Sequence, residues 1–326
     1  MKIPHRRRFL QLATGAAVLP VISRGAEAQA YPSRPVRIIV PFPAAGLSDI
    51  VTRLVGQGLS ERLGTPFVIE NRPGAASNLG TELVVNAPPD GYTLLNLSSA
   101  NATNATMYEK LHFNFIRDIA PVASLVRFPY VLEVNPSVPI KTVPELIAYA
   151  QANPGKLSIA SAGTGTPAHI AGELFKMMTG VDMVHVPYRG AALALTDLIG
   201  GQVQVMIDNM AASLEHIRAG RLRALAVTTA TRLEMLPDVP TVGEFVPGFE
   251  ASSMNGLGAP KRTPAEIVDK LNKEINTALA DPRIKTRIAD LGLTPLVGSP
   301  ADLEKLIADE TDKWGKVIRT AKIKVD

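Results

Sequence analysis

β-Rich segments alternate with amphipathic segments along most of this chain, and this alternation limits its fold more than any other feature. In the N-terminal part, predicted strands at residues 36–40, 67–70 and 92–97 enclose helical patterns at residues 47–63 and 79–86. Strands that alternate with helices in this way are typical of α/β proteins with parallel sheets. The sequence therefore predicts one βαβαβ unit here.

A second series of the same kind follows a long apolar stretch at residues 120–134. Its predicted elements are helices from Val143, Pro167 and Ala191 and strands at residues 157–160, 183–186, 203–207 and 222–227. The remaining chain is predicted to be mostly helical from Pro264 onward, with Thr263 and Thr142 as N-caps in capping-box patterns.

No Gly/Ser-rich linker separates the two series, so we expect two lobes that share the chain through crossovers near residues 121–134 and 249–260. The predicted first lobe holds residues 31–126 plus 255–326, and the second holds residues 127–254. Ligands of such sheets bind outside the carboxyl ends of the strands, on the loops that lead into helices. We therefore expect the site in a cleft between the lobes.

Residues 1–30 have the pattern of a cleavable signal peptide. An Arg-Arg-Arg-Phe-Leu segment at residues 6–10 precedes an uncharged run at residues 10–23, and Ala-Gln-Ala at residues 28–30 fits a cleavage site. Paired arginines before Phe-Leu are typical of twin-arginine export, so the mature chain is expected to begin at Tyr31. The uncharged run is shorter than the roughly 20 residues of a membrane-spanning helix. We expect a soluble periplasmic protein.

Charge and cysteine content exclude several function classes. The first 30 residues contain five basic residues and one acidic residue, which accounts for the net charge of +4 of the whole chain. The mature protein is therefore neutral, and we expect no nucleic-acid binding. The absence of cysteine excludes disulfides, thiolate catalysis and thiol metal ligands. We expect no cofactor, no metal and a monomer.

The first candidate binding loop lies at residues 41–49, between a predicted strand and a predicted helix. The small residues Ala45 and Gly46 let backbone amides approach a ligand, and the start of the helix adds partial positive charge. Phe42 and Asp49 complete this candidate group. Tight turns before helices also need glycine for steric reasons alone, so the loop by itself is weak support for an anion site.

The second candidate loop lies at residues 161–167, in the second series. Thr166 is predicted to be the N-cap of the next helix and Pro167 its first residue. The loop offers hydroxyl groups and free amides to an anion. Its candidate ligand-binding residues are Ser161, Gly163, Thr164, Gly165, Thr166 and, in the first helical turn, His169.

The segment at residues 163–168 also fits the dinucleotide pattern G-x-G-x-x-A, with an acid at Asp182. In a dinucleotide-binding unit the acid ends the second strand, whereas Asp182 precedes the next predicted strand. We therefore interpret this match as a coincidence of spacing and not as a dinucleotide site.

Three further candidates follow predicted strands at the edge where sites form. Ser98 and Ser99 come after the strand at residues 92–97, and Asp208 comes after the strand at residues 203–207. An acid in that position can hold water, orient a hydroxyl or bind an ammonium group. It can equally serve as the N-cap of a helix that starts near Ala211.

An exported α/β hydrolase that uses Ser161, His169 and Asp208 is the alternative function. It requires these three side chains within hydrogen-bond reach of one another. The nucleophile pattern G-x-S-x-G is absent, and no histidine pair has metal-binding spacing. We therefore expect no catalytic residues. A third possibility is an interaction scaffold, in which protein side chains fill the cleft.

Several segments, in order, resemble the Bug family of substrate-binding proteins from tripartite tricarboxylate transporters. They lie at residues 41–46 with Asp49, 70–75, 89–94, 163–169, 184–188, 200–203 and 236–241, and the resemblance spans the mature chain. It implies a two-lobed, type II-like periplasmic binding fold that closes on a di- or tricarboxylate or an aromatic acid. It also implies a tripartite membrane permease or a sensor kinase as partner, with each loop holding one carboxylate.

Three positions depart from the pattern that the family usually shows. Ala45 replaces the first glycine of a Gly-Gly pair, Arg189 follows Tyr188 in place of lysine, and Met254-Asn255 replaces an aromatic pair. Ala45 lies in the first candidate loop, and Met254-Asn255 lie near the predicted crossover. We therefore expect these departures to affect the size or polarity of the ligand that binds.

Overall fold

The computed structural model describes residues 31–108 and 110–324, and within them it contains ten strands and eleven α-helices. The predicted signal peptide lies outside these residues. The strands are β1 (Val36–Val40), β2 (Phe67–Asn71), β3 (Thr93–Ser98), β4 (Ile119–Val134), β5 (Ser158–Ser161), β6 (Val184–Pro187), β7 (Val205–Asn209), β8 (Arg223–Val227), β9 (Ser252–Pro260) and β10 (Thr294–Pro295). The helices are α1 (Leu47–Leu63), α2 (Asn78–Val85), α3 (Ser99–Met107), α4 (Phe115–Asp118), α5 (Val143–Ala152), α6 (Pro167–Thr179), α7 (Ala191–Ile199), α8 (Met210–Arg218), α9 (Ala265–Ala280), α10 (Pro282–Asp290) and α11 (Pro300–Thr320).

The strands form one curled, mixed sheet in the order β2-β1-β3-β9-β4-β7-β5-β6, with β8 and β10 paired to β4. The first strand group, β1 to β3, and the second strand group, β5 to β7, contain the parallel pairs that the alternation predicts. The connecting strands β4 and β9 add antiparallel pairs. They run antiparallel because they pass in opposite directions between the two groups.

Strand β4 takes part in both halves of the sheet. Its residues 119–129 pair with β9, and its residues 130–134 pair with β7 and β8. Both predicted crossover segments therefore fall on connecting strands. The C-terminal helix α11 also reaches both halves, because Leu303 packs with the first group and Trp314 packs with the second.

Two large apolar clusters lie on the two strand groups. Ile38, Val55 and Leu94 belong to the first, and Leu132 and Phe175 belong to the second. Each of these side chains is fully buried, which stabilises the fold by about 1.5–3 kcal/mol per side chain. No helix in the described residues is long and apolar enough to cross a membrane.

The helix caps agree with the sequence at two of three predicted positions. The side-chain oxygen of Thr142 accepts a hydrogen bond from the Glu145 amide, and that of Thr166 accepts one from the His169 amide. The predicted cap at Thr263 is wrong, because α9 begins at Ala265 with Pro264 in the N-cap position, one residue later than predicted. Helix α9 therefore begins without a side-chain cap.

Glu133 is a buried acid in the second half of β4. Its side chain is fully inaccessible, and Ser213 Oγ donates to its Oε1 at 2.7 Å. Burial, opposed by the Ser213 hydrogen bond and aided by the Asp208 charge, raises the pKa of Glu133 to about 8. The carboxyl is therefore largely protonated at neutral pH.

Glu133→Gln tests this assignment. A raised folded-state pKa stabilises the protein below the pKa of the unfolded chain, and this contribution is lost as pH rises to about 8. We expect the wild type to lose about 1.4 kcal/mol per pH unit relative to the variant over this window. Urea unfolding of both proteins at pH 5.5 and 7.5 measures this difference. Equal pH dependence of the two proteins would contradict a neutral Glu133.

Candidate functional site

A cleft of about 590 Å³ opens between the loop after β1 and the carboxyl ends of β5 and β7. It brings together residues from both predicted loops. The predicted site residues that line it are Phe42, Ala45, Gly46, Ser98, Thr166 and Asp208. One cleft thus contains the strand-to-helix loops of both strand groups.

A second cavity of about 410 Å³ adjoins the cleft. Thr164 and Gly165 line this cavity and not the cleft. Phe42 and Thr166 border both spaces, so the two loops form the wall between them.

The other predicted site residues line neither space. Asp49, Ser99, Ser161 and His169 are buried, whereas Gly163 is partly exposed in the second loop. Ser99 Oγ accepts a hydrogen bond from the Met254 amide at 3.1 Å, which fastens the start of α3 to β9. These residues therefore shape the loops that face the cleft.

Asp49 holds the first loop in place. Its carboxylate accepts hydrogen bonds from the Ala45 amide at 2.9 Å, from Arg53 Nε at 3.0 Å and from Asn71 Nδ2 at 2.9 Å. Burial alone would raise the pKa of Asp49, but these hydrogen bonds hold it below its ordinary value. The bond to Ala45 supports that residue in the left-handed region, at φ 65°. Gly46 follows as the N-cap of α1.

Internal hydrogen bonds also hold the second loop. Thr166 Oγ1 donates to the Gly163 carbonyl at 2.8 Å, and the Gly165 amide donates to His169 Nδ1 at 3.0 Å. Gly163 has φ 143°, a conformation that side chains disfavour. The loop is thus preorganised before any ligand binds.

Two stacked histidines lie beneath the second loop. The rings of His169 and His185 are 3.8 Å apart at 14°, and His185 Nε2 lies 2.7 Å from Ser161 Oγ. Burial, together with the neighbouring His185 and Lys176, lowers the pKa of His169 to about 3. Burial also lowers the pKa of His185. Both rings are therefore neutral at physiological pH.

The side-chain network that a hydrolase would need is not assembled. Ser161 contacts His185 and not His169, whose Nδ1 is already occupied by the Gly165 amide. Asp208 lies in β7, and its Oδ2 has no hydrogen-bond partner among the described residues. Within residues 31–108 and 110–324, no three His, Asp or Glu side chains are grouped as metal ligands.

Asp208 is a buried acid that faces the cleft. Its side chain is 4% exposed, and burial raises its pKa to about 6. The alternative role as a helix N-cap is wrong, because β7 extends through Asn209 and Asn209 itself precedes α8. The strand continues two residues beyond the apolar run from which its end was predicted.

The connecting strands contribute cleft residues that the sequence did not single out as ligand-binding. Phe128 and Tyr130 come from β4, and Ser253 and Asn255 come from β9. The aromatic pair lies within the long apolar stretch, which resembles core sequence. Asn255 is one of the positions that depart from the Bug pattern, and this departure was the available signal. Arg189, another such position, is exposed.

Residues 51–323 match the family model described as tripartite tricarboxylate transporter family receptor. The chain belongs to this receptor family. The receptor is 38% identical over 312 residues to Protein BugT of Bordetella pertussis, with 94% of each chain covered.

Two solved structures are similar in fold and sequence. Rpa4515 of R. palustris, solved with adipate, is 38% identical with a TM-score of 0.78 and covers 90% of this chain and 99% of its own. MatC from Rhodopseudomonas palustris, solved with bound malate, is 33% identical with a TM-score of 0.73, at coverages of 88% and 100%. The predicted α/β binding-protein fold is confirmed. The protein is a transport receptor and not an enzyme.

Asp49→Asn tests the anchoring of the first loop. Asparagine keeps the size of the side chain but loses the charge and one acceptor, so we expect about 1–3 kcal/mol of destabilisation at pH 7. Because the folded-state pKa of Asp49 is lowered, its contribution is lost as pH falls through that pKa. The difference from wild type should therefore shrink near pH 3.

Urea unfolding at both pH values measures this effect. Arg53→Gln is the control, because it removes a partner that is 50% exposed and should cost less than about 1 kcal/mol. An Asp49→Asn protein as stable as wild type at pH 7 would contradict the anchoring role.

Proposed function

We propose that this receptor captures a small organic carboxylate in the periplasm and delivers it to the membrane permease of a tripartite transporter. One observation carries the proposal: residues from the N-terminal ends of α1, α3, α6, α7 and α8 all line one cleft. Helix N-termini favour anions through free amides and the helix dipole. None of the described residues that line the cleft is an arginine or a lysine, so the amides supply the attraction.

The bound ligands of two relatives support a carboxylate. Adipate and malate, found with Rpa4515 and MatC, are both dicarboxylates. A dicarboxylate suits a cleft with helix starts on both sides. We propose that the loop at Gly46 holds one carboxylate and the loop at Thr166 holds the other. Each helix dipole contributes about 0.3–2 kcal/mol.

The same geometry explains how binding is coupled to closure. Helices α1 and α3 follow strands of the first group, whereas α6, α7 and α8 follow strands of the second. A ligand with two anionic ends gains both contacts only when the two sides approach each other. It therefore favours a closed state through its higher affinity for that state. We propose residues 31–126 plus 255–326 and residues 127–254 as the lobes, with β4 and β9 as the hinge.

Residues 1–30 support a proposed route to the periplasm. Their twin arginines, uncharged run and Ala-Gln-Ala site indicate export as a folded protein and cleavage before Tyr31. We propose a monomeric mature receptor that serves a permease, and a sensor kinase is the alternative partner.

Gly46→Asp and Thr166→Ala test the carboxylate site. Gly46 has φ −74°, and an added Cβ would lie 3.4 Å from the Pro43 carbonyl oxygen, so the aspartate variant should fold. Its carboxylate repels the ligand, and we expect roughly 100-fold weaker binding. Thr166→Ala should lose about 0.5–2 kcal/mol of stability through the lost cap, with a smaller effect on affinity.

A thermal-shift screen of adipate, malate, citrate and benzoate identifies a ligand, since saturation at 100 times Kd adds about 2.7 kcal/mol. Calorimetric titration of wild type and both variants then measures affinity. Near wild-type affinity in Gly46→Asp would refute the proposed site.

Closure predicts a change in the shape of the whole protein. A saturating ligand should reduce the radius of gyration measured by X-ray scattering, because the hinge equilibrium shifts toward the compact state. The Gly46→Asp protein is the matched control. Its radius of gyration should not change when the same concentration of ligand is added. An unchanged profile for wild type, with binding verified by calorimetry, would exclude a closing clamp.

A further inference from the structure

The cleft contains hydrogen-bond acceptors as well as amide donors. Asp208 Oδ2, Asn209 Oδ1 and Asn255 Oδ1 are buried atoms without a hydrogen-bond partner among the described residues. All three residues line the cleft. A carboxylate brings only acceptors, so it cannot satisfy these atoms.

The orientation of the Asn255 amide is determined by its nitrogen. Asn255 Nδ2 donates to the carbonyls of Leu97 and Met254, both at 3.2 Å. Turning the amide over would place an oxygen against these two carbonyl oxygens. Its Oδ1 is therefore the amide atom that has no partner among the described residues, and it is buried in the wall of the cleft.

Among these three acceptors, Asp208 is the one for which a missing hydrogen bond costs the most free energy. It is 4% exposed and is the one charged side chain among the described residues that line the cleft. Its neighbour in the strand ladder is Val131, which offers no polar side chain. The Asn209 amide donates to the Asp208 carboxylate, but Oδ2 has no donor among the described residues. A buried carboxylate oxygen without a donor costs more than a neutral acceptor does, and the charge repels a second carboxylate nearby.

We infer that Asp208 determines specificity by accepting a hydrogen bond from a hydroxyl or ammonium group that the ligand carries next to a carboxylate. The preferred ligands are therefore hydroxy- or amino-substituted carboxylates, and unsubstituted ones bind less tightly. Asn209, the next residue in the chain, also lines the cleft, and its buried Oδ1 has no partner among the described residues. This inference rests on the proposed carboxylate function and specifies the ligand class of that same cleft.

Matched ligands test this inference. Succinate, malate and aspartate differ only in the substituent on one carbon, and glutarate, 2-hydroxyglutarate and glutamate form a longer set. Each set contains a hydroxy- and an amino-substituted acid. In calorimetry on the mature receptor, whichever of these two binds more tightly should bind roughly 10- to 100-fold tighter than the unsubstituted acid. Preference for malate would assign a hydroxyl, and preference for aspartate would assign an ammonium group.

Asp208→Asn is the decisive variant, because it preserves shape and removes the charge. We expect the preference for the substituted acid to fall to within roughly threefold. Glu133→Gln is the matched control: it removes a buried acid close to Asp208 that does not line the cleft, so the preference should persist. A purely structural role for Asp208 would weaken all ligands of a set equally.

The outcomes separate this inference from the proposed function. Equal or tighter binding of the unsubstituted acid to wild type, or a preference that persists in Asp208→Asn, would overturn the role of Asp208 and leave carboxylate capture intact. Absence of binding for every carboxylate would overturn both.

Discussion

The antiparallel pairing of β4 with β9 is the contact on which the rest of the structure depends. These strands pair from Ile119 with Pro260 to Pro129 with Ser252. On its other edge β9 pairs with β3 of the first group, whereas β4 continues along β7 of the second. The loops of both groups therefore open toward one place, with Phe128, Tyr130 and Asn255 between them. Without this pairing, the two βαβ series would have separate sheets and separate sites.

The proposed anion site has no cationic side chain among the described residues of its lining. Because backbone amides at helix starts supply the attraction, the loops must be held in one conformation before a ligand arrives. Asp49 fixes the first loop through the Ala45 amide, and Thr166 fixes the second through the Gly163 carbonyl. The neutral histidines His169 and His185 support the second loop without adding charge. We infer that the buried acid Asp208 adds a second requirement, namely that the ligand also carries a hydrogen-bond donor.

Local features of the site were predictable because they depend on nearby residues. The cap at Thr166 needs a hydroxyl and an amide three residues later, and the sequence shows both. The cap predicted at Thr263 was wrong because α9 begins one residue later, with Pro264, which has no side-chain acceptor, in the N-cap position. The contact between Ser161 and His185 was missed, since it joins two neighbouring strands separated by a helix. This contact excludes the hydrolase alternative, which needed His169 as the partner of Ser161.

The sequence alone determined the α/β class, the two series and the two candidate loops, because these follow from the period of apolar residues and from turn chemistry. Only the tertiary structure decided which residues face the cleft. It placed Gly46, Thr166 and Asp208 around one space and put Asp49 and His169 behind the wall. It also gave Tyr130, which lies in an apolar stretch, a place in the lining. The reason is that strand pairing between distant segments decides which side chains face the cleft, and local sequence patterns do not encode this pairing.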